Sequence, residues 1–569
     1  MYNGQYENAI SRLLYIGVPA TSLFLITNTV TDPVNATKFF ILGGVGFSAL
    51  ILALTRGLPL IWNAHKGAII FASLFVVFSI SSVLQSDSPL TQNLYGVYGR
   101  NTGFLTYLFL CGVFLGALSL SRVNSYSRVF LGLFVTGVIN VLYCGWVVFF
   151  GEIISWSNPY GNILGFFGNP NFIGAFLGIW ISATVGYFIL SKINMARKVS
   201  LFALLLLAVY EVYKSHAVQG VVVTAAGLSI VLFFVIRSKT NSNVPTYIYS
   251  TFVVIAGVTA GLGALQKGPL ADIVYKTSVS LRGAYWHAGL DMGFRVPFSG
   301  VGMDAYGDWY RRSRSVYSAT VLPGPNTVSN SAHNVVIDIF AYGGFPLLIS
   351  YLGILFLGVI AIIKGIRSSR SYDPIFVALV VAWSGYQLQS LISINQIGLV
   401  VWGWVLTGLL ISYVRVRKIA TENVNSEKAP MNARGNRVNK SSNFVSNPLI
   451  AGIGVVIGLV LSAPPISADM AWVKSTKSGN FLEVQKALTP TYLHPSDSNR
   501  LVQFIGILEQ NNLSDQAREY ALKAVRFNPY NVDSWYALYS VRNSSQSEKD
   551  LALKNMRKLD PNNPNYLAR

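Results

Sequence analysis

At 569 residues, 52% hydrophobic and only 12% charged, with a mean hydropathy of +0.46, the chain is too apolar for a soluble protein of its size and reads as a polytopic membrane protein. Its formal charge of +20 would suit nucleic acid, but the cations are dispersed through short segments between apolar runs, which argues against a nucleic-acid partner. Cys111 and Cys144 both fall inside apolar runs, so neither a disulfide framework nor a cysteine metal site is implied.

The first residues, Met1 to Ile10, are polar and lack the basic start of a cleavable signal, so the first apolar run is expected to be retained. Runs long enough to cross about 30 Å of hydrocarbon begin near Ile10, Phe39, Gly67, Gly103, Val129, Asn171, Val199, Ala217, Thr246, Asn334, Pro374, Gln396 and Pro448. The expected fold is all-α. It has about twelve core spans over residues 1–415, one more over 447–466, and a C-terminal soluble helical-repeat domain over 467–569. Alternate loops carry the cations: Arg56 and Lys66, Arg122 and Arg128, Lys192, Arg197 and Lys198, Arg237 and Lys239, then Lys364, Arg367 and Arg370. The positive-inside rule makes these loops cytoplasmic. The linker over 416–446 holds Arg417, Lys418, Lys428, Arg434, Arg437 and Lys440 against only Glu422 and Glu427, and falls on the same side. The N-terminus is then inside, and the tail and a long loop over 265–333 face outside.

Shorter outer segments carry their own punctuation. Tyr95-Gly-Val-Tyr-Gly-Arg100-Asn-Thr-Gly103 is Gly-rich and aromatic, so it can bend back and aim Arg100 inward, although an Arg at a membrane border can also be a snorkelling anchor. Gly165-Phe-Phe-Gly-Asn169-Pro-Asn171 reads as a turn followed by a helix start, with Asn171 as a cap. Lys214 and His216 occupy a third outer turn.

The long loop violates the charge bias with Arg282, Arg295, Arg311, Arg312 and Arg314, and adds Tyr285, Trp286, Tyr306, Trp309 and Tyr310. That inventory favours an anionic, partly apolar ligand. On a helix Arg282 and Trp286 share a face, so the indole can direct a guanidinium fork suited to a diphosphate. The alternative is that Arg282 pairs with Asp291 or Asp304. The loop ends at Asn330-Ser-Ala-His333-Asn334, where Ser331 could cap the next helix and His333 could take a proton from a hydroxyl near neutral pH. Asp304, Asp308 and Arg312, at intervals of four, read as a row of ion pairs on a helix face. No metal-ligand spacing and no Ser nucleophile motif is present.

In the tail, Phe527-Asn-Pro529 and Leu559-Asp-Pro561 repeat with their prolines 32 residues apart, and Ala521 and Ala524 precede Trp535 and Leu538 on the next helix. This helix-turn-helix repeat resembles the tetratricopeptide class, short by about two residues of its usual period. Such repeats bind partners or pack on neighbours.

At these residues the chain resembles the O-antigen ligase and O-antigen polymerase superfamily, including its protein O-oligosaccharyltransferase branch. The ligases share a His, a small polar residue, nine residues and a Gly, and here His333-Asn334 stands at that interval before Gly344. Arg282 to Trp286 with Pro297 and Gly300-Val-Gly302 is similar to the start of the family's external loop, and Gly168-Asn-Pro-Asn171 with Gly174 to an earlier outer motif. The resemblance covers about Tyr95 to Ser412. It implies a glycan on a polyprenyl diphosphate, moved at the outer face of the cytoplasmic membrane to an acceptor hydroxyl on lipid, protein or glycan, without metal, nucleotide sugar or other cofactor. By the same resemblance His333 would be the base, Arg282 and Arg100 would hold the diphosphate, and Trp286, Arg311 and Asn334 would line the substrate. Leu347 departs from the ligases, which tend to have Gly, Thr or Tyr there. Ser215-His216 replaces a Ser-Arg pair, so the charge at that turn falls to Lys214 beside His216. A transporter of an anionic or lipid-linked solute is the other reading, and in either case the tail is expected to bind a protein partner or acceptor.

Overall fold

The computed structural model describes residues 2–426 and 446–567; Glu427, Lys428, Arg434, Arg437 and Lys440 of the expected linker lie outside the described residues. A helix occupies every apolar run, and the helices of eight or more residues are numbered in chain order. The first nine are α1 (Tyr2–Leu23), α2 (Asn35–Leu52), α3 (Leu58–Gln85), α4 (Phe104–Leu118), α5 (Val123–Phe150), α6 (Pro170–Phe188), α7 (Met195–Lys214), α8 (Val218–Lys239) and α9 (Val244–Ala264). The long polar loop contributes α10 (Thr277–Arg295) and α11 (Tyr306–Ser313). Then come α12 (Val335–Ser368), α13 (Pro374–Ser390), α14 (Ile397–Ser426) and α15 (Asn447–Ser478), and in the tail α16 (Phe481–Leu488), α17 (Ser498–Gln510), α18 (Ser514–Phe527), α19 (Val532–Ser540) and α20 (Gln546–Leu559). Among the described residues there is no strand, and eight helical stretches are long and apolar enough to cross a membrane.

Two helices run further than their sequence limits. α14 passes through Arg415 into the expected linker, and α15 continues past residue 466 to Ser478. The stop for α15 is Gly479, whose left-handed φ of 67° serves as a C-cap. α15 is also an integral part of the bundle. A Cβ on Gly458 would lie 2.0 Å from the Gly43 carbonyl oxygen and one on Gly454 2.6 Å from Ser48 Cα, so α15 meets α2 backbone to backbone. Ser462 Oγ then donates to Phe40 O at 3.1 Å and Ser48 Oγ to Ala451 O at 2.9 Å. Small residues at four-residue spacing make this approach possible in an apolar bundle.

The helix that carries the end of the polar loop is interrupted early. At Gly343 and Gly344 α12 leaves helical geometry, with Gly344 at φ 64°, ψ −160°. Such a break frees backbone groups that must find other partners. Ala341 O and Tyr342 O accept from Val301 N (2.9 Å) and Gly302 N (3.1 Å), and Phe345 N donates to Pro297 O at 2.8 Å. Ser82 Oγ also donates to Tyr342 O. The two glycine motifs seen in the sequence therefore interlock: a Cβ on Gly344 would stand 2.2 Å from Pro297 O, and one on Gly300 2.2 Å from Tyr342 O. Gly344→Ala should lower the thermal midpoint in detergent by a cost of about 1–3 kcal/mol, the range for a strained backbone site. Gly283→Ala meets nothing within 4 Å on exposed α10 and should be neutral or mildly stabilising. Equal midpoints for the two variants would contradict the interlock.

The tail builds a second apolar core. Ala517, Ala521 and Ala524 share one face of α18 and are fully buried with Phe504, Leu508 and Leu538. Trp535 Nε1 donates to Pro529 O at 2.8 Å, which fixes the turn between α18 and α19.

Candidate functional site

The site starts from one face of α10. Arg282, Trp286, Gly289 and Gly293 recur at intervals of three or four, and the two glycines set the helix directly on α12. A Cβ on Gly289 would meet Ile337 at 2.6 Å, and one on Gly293 would meet the Phe340 ring at 2.3 Å. One to two turns earlier on the same helix, Tyr285 stacks on the His333 ring with centroids 5.4 Å apart and planes at 26°. Tyr285 also meets Tyr310 edge-on at 5.9 Å, and the Tyr306 hydroxyl donates to Tyr285 O at 2.5 Å.

His333 sits in a left-handed conformation (φ 55°) fixed by its neighbours. Its N–H donates to Ser331 Oγ at 2.9 Å, Ser331 Oγ donates to Asp338 Oδ2 at 2.8 Å, and Ala332 N donates to Asp338 Oδ1 at 2.7 Å. The helix cap is Asn334 and not Ser331, because Asn334 Oδ1 accepts from Val336 N (3.0 Å) and Ile337 N (3.2 Å). That oxygen is thereby taken from substrate. Neither ring nitrogen of His333 bonds to a described residue. Burial, then the charges of Arg100 and Arg282, lower its pKa from the ordinary 6.5 to about 4. The imidazole is neutral at pH 7 and one nitrogen is a free acceptor.

Arg100 reaches this centre from the loop between α3 and α4. Gly96 (φ 84°) and Gly99 (φ 82°) let that loop fold over Asp304, whose Oδ2 accepts from Val97 N at 2.8 Å and Thr102 N at 3.4 Å. The Tyr342 hydroxyl donates to Asp304 Oδ1 at 3.3 Å. Burial raises the Asp304 pKa to about 6 against the opposing pull of Arg100. Asp304 is thus a structural anchor in a left-handed turn (φ 55°), outside any helix. Asp308 accepts from Ser88 Oγ at 2.7 Å and Gln92 Nε2 at 3.2 Å, and Arg312 stacks on Trp309, 3.8 Å from its centroid. The expected ion-pair row is therefore absent.

Arg282 has neither of its expected carboxylate partners. Asp291 pairs with Arg295 at 2.7 Å, and Asp304 holds the Val97 loop. Burial lowers the Arg282 pKa, and both its Nε and Trp286 Nε1 are buried without a hydrogen-bond partner. Arg100 likewise forms no ion pair with a described residue. Two guanidinium groups outside any ion pair and a neutral imidazole thus lie within electrostatic reach of one another, a combination that suits an anion beside a group giving up a proton.

Other expected residues lie outside the His333 centre. Arg311 pairs with Asp533 of α19 at 2.8 Å, and both line the cleft described below. Arg314, fully buried, forms a forked pair with Asp560, both Nη2–oxygen distances being 2.8 Å, and its Nη1 donates to Gly324 O at 3.1 Å. With Arg295, three of the five loop arginines are neutralised inside the chain. Lys214 lies over the Tyr210 ring at 5.5 Å, and exposed His216 sits 6.2 Å from the Tyr213 ring; no hydrogen bond or ion pair joins either to the His333 centre. Asp338 escaped the sequence reading, and Ser331 and Tyr285, seen there only as a cap candidate and a loop aromatic, help to set the His333 geometry. A single acid five residues after His333 in an otherwise apolar run was the available signal for Asp338.

Beside this centre the tail closes a polar cleft lined by Tyr98, Asn101, Asp308, Asn330, Asn531 and Arg500. Asn330, three residues before His333, and the Val97 loop that carries Arg100 also line this cleft. Among the described residues no group of three His, Cys, Asp or Glu side chains could hold a metal ion. No protein-family model and no curated protein matches the chain.

Proposed function

We propose that the chain is a metal-independent glycosyltransferase that moves a glycan from a polyprenyl diphosphate to an acceptor hydroxyl at the outer face of the cytoplasmic membrane, as an O-antigen ligase or polymerase does. The observation that carries this reading is the neutral His333 imidazole in the field of Arg100 and Arg282, neither of which forms an ion pair with a described residue. In the transfer, His333 takes the acceptor hydroxyl's proton, the oxygen attacks the anomeric carbon, and the bond from that carbon to the diphosphate breaks. Charge grows on the leaving diphosphate, where the two guanidinium groups stabilise it. The polar cleft under the tail offers hydroxyl-recognising side chains next to the reacting atoms, so the tetratricopeptide-like repeats position the acceptor. The N-terminus and basic loops are cytoplasmic, and the long loop and tail are external, in a core of about twelve spans plus α15.

Transport has one observation in its favour. Glu211 of α7 is fully buried, and both its carboxylate oxygens lack a partner, as an ion relay would require. Purified protein with lipid-linked glycan separates the two readings, since only the transferase forms product in detergent without a second compartment. Arg282→Lys should lose transfer nearly as severely as Arg282→Ala, about 10²-fold or more, because an ammonium keeps the charge and loses the planar fork. Full activity in Arg282→Lys would reduce that arginine to a point charge.

A further inference from the structure

At the end of α12 remote from His333, a cleft of about 690 Å³ opens between α3, α12 and α14. Lys66, Lys364, Arg367, Arg415 and Lys418 line it, with no acidic residue on its walls. Its floor is apolar, formed by Leu357, Ile360, Ala361, Ile411 and Val414. The exit from α3 is shaped by His65, whose φ −143°, ψ 44° breaks the helix beside Lys66. Cations gathered by the positive-inside bias would be scattered, each solvated or paired on its own. Arg417 shows the paired alternative on the same helix, 3.2 Å from Asp373. Lys364, Arg367 and Arg415 instead have no acidic partner among the described residues and converge on one space.

A second cavity continues the first along the same seam. It is lined only by Phe71 of α3 and by Ile349, Leu352, Gly353, Leu355, Phe356 and Val359 of α12. Phe71 stands one turn beyond Gly67 on α3 and Gly353 one turn before Leu357 on α12, so the groove follows the cleft along the same helix faces. The bare Gly353 admits the Phe71 ring, which a Cβ would meet at 2.4 Å. One end of the seam therefore offers concentrated positive charge, and the next turns of helix offer a shallow, open groove with only hydrocarbon along it. That is the polarity profile of a single phospholipid.

We propose that this seam binds an anionic membrane lipid, its phosphate among Lys364, Arg367 and Arg415 and an acyl chain along the Phe71–Phe356 trough. The site is separate from the His333 centre and does not depend on the transfer reading. A lipid held there would fix α12 against α3 and α14 from the end opposite the catalytic loop.

The test is native mass spectrometry of the full chain in detergent, titrated with dioleoyl-phosphatidylglycerol, dioleoyl-phosphatidylcholine, dihexanoyl-phosphatidylglycerol or inorganic phosphate. One dioleoyl-phosphatidylglycerol should stay bound per chain, while the choline lipid and the short-chain lipid are lost. The variant Lys364→Gln/Arg367→Gln/Arg415→Gln should weaken retention by about a hundredfold, from the usual contribution of each cation near an anionic headgroup. Exposed Lys192, Arg197 and Lys198 supply the control: Lys192→Gln/Arg197→Gln/Lys198→Gln removes the same charge outside the cleft and should leave retention unchanged. Equal losses in the two variants would mean diffuse surface attraction and overturn the site. Equal retention of the choline lipid, or displacement of the lipid by inorganic phosphate with no dependence on chain length, would overturn the lipid as its occupant.

Discussion

His333→Ala should cut transfer by about 10² to 10⁴, the usual loss for a positioned general base, while donor affinity changes little because, on the proposed reading, the diphosphate lies on Arg100 and Arg282. Purified, folded variant assayed for turnover and for donor binding decides this, and near-normal turnover would remove His333 from proton transfer. The same site predicts an unusual pH profile. With the site empty, burial and the two arginines hold the imidazole at a pKa of about 4. A bound diphosphate adds negative charge between those arginines and moves the pKa back up toward its ordinary value. Activity is lost as the base is protonated, so kcat/KM should keep its acid limb near the free-enzyme value of about 4 and kcat should show its limb at higher pH. Coincident limbs would place the donor diphosphate away from His333.

The second large effect concerns stability. Arg314→Met should destabilise the loop by about 3–5 kcal/mol, because Asp560, with no exposed side-chain surface, is left buried with its charge uncompensated. Arg314→Met/Asp560→Leu should recover part of that loss and not all, since Arg314 also donates to the carbonyls of Gly324, Pro325 and Thr327. The half-exposed Arg518–Glu548 pair supplies the comparison: breaking it should change little, although its distances are as short. Thermal midpoints and protease sensitivity within 315–331 measure all three. A mild Arg314→Met would show that the tail does not clamp the loop. Deletion of the tail would remove Asp533 and Asp560 together and is on this geometry a harsher change than any of the three.

The apolar runs located the helices because hydropathy over a long run needs no tertiary knowledge. The polar stretch between α9 and α12 stood out by the same contrast, and His333 and Arg282 stood out because they bracket it. The fates of the other arginines were hidden for a physical reason. Arg311 and Arg314 are neutralised by acids 222 and 246 residues away, and no local period carries that pairing. Asp304 misled by its spacing to Asp308. Four residues suggests a helix, whereas Gly302 at φ 117° and Asp304 at φ 55° make a turn that buries the carboxylate under the Val97 loop. The cap was misplaced by three residues for a similar reason, since both Ser331 and Asn334 are good capping types and only the position of Asp338 decides between them.

The Arg314–Asp560 pair also sets a clock. Asp560 is synthesised 246 residues after Arg314. At ribosomal speeds of about 5–20 residues per second the segment before His333 waits roughly 10–50 s for its counter-charge. For nearly all of that interval a nascent chain already has its imidazole and the two arginines beside it, yet lacks the partner that seats Arg314 and the carbonyls it organises. Pulse-labelled chains should gain protease resistance across 315–331 only after that delay, so the loop that ends at His333 is the last part of the chain to be secured.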